Sequence, residues 1–190
     1  MKSIIVKLKK YLNQSNTNLI VAGGAVVISA CALFISIQEV HIMRIQQKAT
    51  MYPYLTVGTT YNGDGFGIVL KNSGNGLAKI NSYKVFNDSI YFKEWLDILE
   101  VLMPEAENIG YGTIKTAGNI RNLMIAPGEE KVLIFLNWTP ETRILEQRIR
   151  SLQVLISYES LLGEHWRVED GIPKYLDKKE NLEMEKEFGS

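Results

Sequence analysis

Cysteine is almost missing from this 190-residue chain, and the single one, Cys31, lies inside an apolar run; no intrachain disulfide and no thiolate metal cluster can form. Histidine is nearly as scarce. His41 and His165 are the only two, and neither has a partner at the His-x-x-x-His spacing of a metal-binding helix. His165, between Glu164 and Trp166, reads as an exposed hairpin residue. The Gly-x-Ser-x-Gly elbow of serine hydrolases is absent, and Cys31, placed in lipid, could not serve as a soluble nucleophile. Net charge is lacking too, since 21 Lys and Arg balance 21 Asp and Glu. That balance hides an asymmetry. Residues 1–18 hold Lys2, Lys7, Lys9 and Lys10 and no acid, whereas residues 51–190 hold 15 basic against 20 acidic side chains, a net of −5. An acidic domain repels phosphate backbones, which argues against a nucleic-acid partner.

Charge is absent altogether from Leu19 to Ile37, the run LIVAGGAVVISACALFISI. At about 1.5 Å per residue such a helix spans about 30 Å, the thickness of the bilayer hydrocarbon. The expectation is a transmembrane helix. A cleaved signal peptide is one rival, and Ile28-Ser29-Ala30-Cys31, which resembles a bacterial lipobox, is a second. The run is longer than a signal core of roughly 7–15 residues and stays apolar through Leu33, Phe34 and Ile35, which favours a retained anchor. The four lysines before the span lead to the expectation that this end is cytoplasmic and the domain outside, with the opposite topology as the alternative because Arg44 and Lys48 lie close to the other end of the span. Ala22, Ala25, Ser29, Ala32 and Ser36 recur at 3-4-3-4 spacing and form a stripe on which another helix could pack closely, from a second copy or from another membrane protein. The alternative is that small residues are simply common in such helices. No helix breaker follows until Pro53, so residues 38–50 read as a helical stalk.

Beyond Tyr52-Pro53-Tyr54, where proline forces extended backbone, the pattern changes to strands over Tyr54–Thr60, Phe66–Lys71, Leu77–Phe86, Arg121–Ile125, Lys131–Trp138, Leu152–Glu159 and Trp166–Glu169. Tyr61-Asn62-Gly63-Asp64-Gly65 and Asn72-Ser73-Gly74-Asn75-Gly76 read as turns. Helices are expected over Tyr91–Met103, stopped by Pro104, and from an N-cap at Thr139, with Pro140 at the first position, to near Ser151. The organisation that follows is a basic cytoplasmic segment (1–18), a transmembrane helix (19–37), a stalk (38–50), a mainly β domain (51–170) and a charged, poorly packed tail or short exposed helix (171–190). The last four residues, Glu-Phe-Gly-Ser, look like an appendage with no part in the fold. Roughly six or seven short strands with turn signals point to an immunoglobulin-like antiparallel β-sandwich with two helical insertions.

Several features that suggest chemistry have simpler readings. Gly63, Gly65 and Gly67 superficially match a phosphate-binding loop, but a strand follows where such a loop needs a helix. Asn62 and Asp64 offer one carboxylate where a calcium site wants about six to eight oxygens. The acid pairs Glu105 with Glu107, Glu129-Glu130 and Glu169-Asp170 are sequence neighbours, whereas glycoside hydrolysis needs carboxylates converging across a cleft. They read as solvated faces. Trp95 and Trp138 could line a ligand groove, although tryptophans in a domain of this size more often pack the core.

The stretch Asn72-Ser73-Gly74-Asn75-Gly76-Leu77-Ala78-Lys79-Ile80 resembles the Asn-x-Gly-x-Gly-x-Ala-x-Ile hairpin of uncharacterised bacterial single-pass membrane proteins with a β-sandwich domain. Their Trp-Pro-Tyr lead-in is matched by Tyr52-Pro53-Tyr54, and Ile156–Ser160 through Gly163 to Trp166 is similar to their terminal hairpin. The resemblance implies the fold and single-pass topology and carries over no catalytic residue and no cofactor. The functional expectation is a membrane-anchored, non-enzymatic binding or accessory module, a subunit of a cell-envelope assembly. The alternative is a tethered sensor that binds a small molecule or glycan on the sandwich.

Overall fold

The computed structural model describes residues 2–104 and 113–189. The chain divides into two compact units, Met1–Gln47 and Lys48–Ser190. Helix α1 runs unbroken over Lys2–Thr50, so residues 38–50 are helical. Its apolar residues face outward in every direction: consecutive Val26, Val27 and Ile28 are 62–71% exposed, and Leu33, Phe34 and Ile35 are 56–65% exposed. None of the most apolar window is buried. Pro53 ends the helical pattern by biasing Tyr52 towards extended backbone.

The second unit is built of antiparallel strands. The first sheet contains β1 (Leu55–Tyr61), β2 (Gly65–Asn72), β5 (Ile114–Thr116) and β7 (Glu130–Asn137), in the order β1-β2-β7-β5. The second contains β3 (Ala78–Asn87), β4 (Ile90–Phe92), β8 (Gln153–Ser160), β9 (His165–Glu169) and β10 (Ile172–Leu176), in the order β10-β9-β8-β3-β4, with the two-residue β6 (Met124–Ile125) beside the start of β3. Both sheets contribute to one hydrophobic cluster: Leu55, Phe66, Leu70, Leu133 and Leu136 from the first, Ile80, Tyr83, Val85, Ile156 and Val168 from the second. Alternation drives this, because residues two apart on a strand share a face. Helix α2 (Trp95–Leu102) buries Trp95, Ile98, Leu99 and Leu102, and α3 (Pro140–Arg148) buries Thr142 and Leu145.

Four expectations change. The helix predicted from Tyr91 begins at Trp95, because Ile90–Phe92 pairs with Val85–Asn87 as β4 and Tyr91 stacks on Phe86 with ring centroids 5.1 Å apart. Glu94 is extended, and its amide donates to the Asp97 carboxylate at 3.3 Å, which starts the helix late. Arg121–Ile125 shrinks to Met124–Ile125, since Asn122 adopts a left-handed φ of 65° that no strand accommodates. The C-terminal helix starts as expected, with the Thr139 hydroxyl accepting the Thr142 amide at 3.1 Å, and its last turn to Ser151 tightens to a 3-10 turn.

The largest correction concerns residues 171–190. Ile172–Leu176 is strand β10, paired with β9. Farther on, Glu187 and Phe188 are buried, at 1% and 3% exposure. The Glu187 carboxylate accepts the Ser82 hydroxyl at 2.6 Å and the Tyr83 amide at 2.9 Å. Phe188 packs on Tyr83 and Trp95, with ring centroids 5.0 and 5.2 Å away. A sequence rich in charge around one aromatic looks unpacked; here that aromatic is a plug. Glu180 reaches back as well, accepting from the Ser157 hydroxyl and pairing with Lys84 at 3.8 Å.

Candidate functional site

Ala22, Ala25, Ser29, Ala32 and Ser36 all lie on α1 and all are exposed. At about 100° per residue their spacing confines them to a stripe about 80° wide. The two tryptophans sit in different surroundings. Trp95 is 5% exposed and belongs to the core. Trp138 is half-buried: its ring stacks on Phe66 at 5.2 Å, Arg143 lies over it at 4.7 Å, and its Nε1 donates to the Asn62 carbonyl at 3.0 Å. Neither lines either of the two surface cavities described below. Glu105 and Glu107 lie outside the described residues. His165 is half-buried, with its Nδ1 3.9 Å from Glu159 Oε2. Among the described residues no group of three or more His, Cys, Asp or Glu is placed to hold a metal ion.

The Asn-x-Gly-x-Gly motif forms a buried junction. Asn72 is fully buried. Its Oδ1 accepts the amides of Tyr54 at 3.2 Å and Gly74 at 3.1 Å, and its Nδ2 donates to the carbonyls of Gly76 at 2.8 Å and Ile125 at 3.1 Å. The segment Met51–Tyr54 lies across this turn, with the Tyr52 carbonyl accepting from Asn75 and Gly76 and the Tyr54 carbonyl accepting from Ser73. A Cβ on Gly74 would sit 2.3 Å from the Tyr52 oxygen, and one on Gly76 would sit 1.8 Å from the Met51 oxygen. Both glycines are therefore there for close backbone approach. Tyr158 locks the segment from the other side, its hydroxyl donating to the Pro53 carbonyl at 3.2 Å. Desolvation holds the Tyr158 phenol far above its ordinary range, so it stays a neutral donor.

An open groove lies elsewhere on the same unit. It encloses about 560 Å³ and is lined by Val57, Gly58 and Thr59 of β1, by Ile68 of β2, by residues 149–154, and by Asp170 and Gly171 at the tip of the β9–β10 hairpin. Its floor is apolar, made by Val57, Ile68, Ile149 and Leu152. Its two walls are strand edges. β1 is the outermost strand of the first sheet, and the Val57 amide donates outward to the Gly171 carbonyl at 3.3 Å. Backbone groups alternate along a strand, so those of Thr59 also face outward, past the point where the hairpin ends. On the other wall β9 pairs only with Ile156–Glu159 of β8. The Ser160 amide donates to Glu164 on that side, so Val154, of the same parity, turns its amide and carbonyl into the groove. No described strand pairs with Thr59 or Val154 there. On the rim, Arg150 is held by Glu146 at 2.6 Å, and Glu146 also accepts from the Tyr61 hydroxyl at 2.9 Å. These hydrogen bonds, with Arg150 foremost, lower the Glu146 pKa.

A second cavity, of about 360 Å³, is lined by Thr60, Asn62, Asp64, Lys115, Glu130, Val132, Phe135 and Asn137. Asn62 Oδ1 already accepts the amides of Asp64 and Gly65, both at 2.9 Å, so it closes the turn and offers no free ligand oxygen in that direction. The groove residues Thr59, Val154 and Asp170 carry no sequence signal of their own. They become a site because β9 is short and β1 is an edge.

The fold defines a mostly antiparallel β protein preceded by one helix long and apolar enough to cross a membrane. The chain belongs to the family described as Domain of unknown function (DUF8453), which matches residues 17–180 and so covers the long helix from Thr17 onward and both sheets. No curated protein and no solved structure matches it.

Proposed function

We propose that the chain is a single-pass, membrane-anchored, non-enzymatic binding module, with the lysine-rich N-terminus in the cytoplasm and an immunoglobulin-like sandwich outside it, serving as a subunit or accessory of a cell-envelope assembly. The observation that carries this reading is the state of α1. Its uncharged stretch presents apolar side chains in every direction, and none of its most apolar window is buried, which suits an apolar solvent. The strand orders support the sandwich: β1-β2-β7-β5 follows the A-B-E-D order of an immunoglobulin constant-type sheet, and β9-β8-β3 follows its G-F-C order. Helix α3 then occupies the crossover between the sheets, and β10 is an additional edge strand. The stripe from Ala22 to Ser36 supports a helix partner, a second copy or another membrane protein.

Alkaline carbonate extraction and protease protection test the anchor and its orientation. The chain should stay with the membrane pellet, and residues 51–190 should be cleavable only from the outer side. Release by carbonate would remove the basis of the reading. A tethered small-molecule or glycan sensor is the second reading, and the groove of about 560 Å³ favours it, since ligand sites run to about 300–1,000 Å³. The second reading places recognition on the sandwich, the first on the stripe of α1 and whatever partner it meets.

A further inference from the structure

The groove between β1 and β8 is walled by backbone, and that fixes what it recognises. An apolar small molecule would use its floor and leave the amides and carbonyls of Thr59 and Val154 unmatched. An extended polypeptide uses both, because a strand presents donors and acceptors at the same alternating interval and sends every second side chain to one face. We propose that this groove is a strand-acceptor site: an extended segment of a partner protein adds to the free edge of β1, bonding to Thr59, and packs alternate apolar side chains onto Val57, Ile68, Ile149 and Leu152.

Charge selects one end of the guest. Asp170 is exposed at the hairpin tip on the groove rim, whereas Arg150, the cation on the rim, is already held by Glu146. The fitting segment therefore carries a lysine or arginine where it passes Asp170. The tip of the β9–β10 hairpin, through the Val57 to Gly171 hydrogen bond, occupies the edge at Val57 and sets the point at which the guest strand begins. This inference rests on the reading of the chain as a binding module and adds the class of its partner.

The experiment uses the full chain in lipid nanodiscs and a phage-displayed random-peptide library as the probe. Enriched peptides should alternate apolar and polar residues and carry a basic residue at one end. Binding them should slow hydrogen exchange at the Thr59 amide. Thr59→Pro removes that donor on the open side of an edge strand, where proline is tolerated, and should weaken binding at least about tenfold, a loss of about 1.4 kcal/mol, with the melting temperature kept. Asp170→Asn retains a side chain that accepts the left-handed φ of 54° and should abolish the preference for the basic end. Equal binding to Thr59→Pro, or no enrichment over that variant, overturns the proposal. So does a concentration-dependent dimer that protects Thr59 without peptide, which would make the guest a second copy. Neither result touches the carbonate and protease tests of the anchor, so failure of the groove and failure of the anchored-module reading are distinguishable.

Discussion

Asn72 satisfies two backbone amides and two carbonyls from three separate segments, and no other residue type offers two donors and two acceptor lone pairs on so short a stem. Asn72→Ala leaves those buried groups unpaired and should cost about 3 kcal/mol, read as a lower midpoint of urea unfolding with an unchanged slope. Gly76→Ala should be at least as damaging, since its Cβ would meet a backbone oxygen at 1.8 Å and backbone cannot swing aside. The structure corrects the hairpin expected over Asn72–Ile80, since the segment leads from β2 of the first sheet to β3 of the second; the turn itself was legible in the sequence. The reason for the glycines was not, because the Met51 and Tyr52 carbonyls that exclude a side chain come from some 20 residues upstream. Glu159 shows the same dependence on distant partners. It accepts from Lys79 at 3.0 Å, Asn81 at 3.2 Å and Lys179 at 3.4 Å, and the Lys79 bond foremost holds its carboxyl below the ordinary value of 4.5. A depressed carboxyl pKa contributes stability above the unfolded value and loses it as pH falls through the folded one. Glu159→Gln should therefore be less stable than the parent at pH 7, with the gap closing in acid, as thermal melts across pH will show.

Among the elements, the C-terminal segment departs furthest from expectation. Helices α2 and α3 carry their start signals locally, in Asp97 for one and in Thr139 and Pro140 for the other. The segment after Leu176 has no periodicity to read. Its order comes from two residues that fit cavities made by others, Phe188 against Tyr83 and Trp95, and Glu187 against Ser82. Phe188→Ala should cost about 3 kcal/mol by leaving a void between α2 and β3. A Phe188→Leu variant should recover much of that loss, whereas a merely exposed phenylalanine would show neither effect; differential scanning calorimetry separates the two. Residues 181–189 lie beyond the stretch that the family covers, yet they complete the core. Strand β9 makes the opposite point, since its shortness leaves the start of β8 paired with β3 alone and its other edge a wall of the groove.

On the scale of the whole chain, the proposed anchor requires α1 and the sheets to obey different solvents. Phe34→Lys puts a charge within the uncharged stretch and should cost about 2.5–3.5 kcal/mol of insertion, seen as a larger carbonate-soluble fraction. Replacing Ala25 and Ser29 together by Leu keeps the stretch apolar while filling its stripe, and should weaken helix association by about 1 kcal/mol in a liposome energy-transfer assay, without releasing the chain. The sequence by itself determined the helix, the positions of most strands and the cap at Thr139, because each of these depends on residues within a few places of one another: an uncharged run, an alternation, a proline after a threonine. Only the tertiary structure decided that Trp95 is core, that Phe188 plugs it, that Gly74 and Gly76 admit a crossing segment, and that Thr59, Val154 and Asp170 share a groove. Those outcomes depend on which strand lies at an edge and where its neighbour stops, and pairing between residues a hundred positions apart leaves no periodic trace in either one.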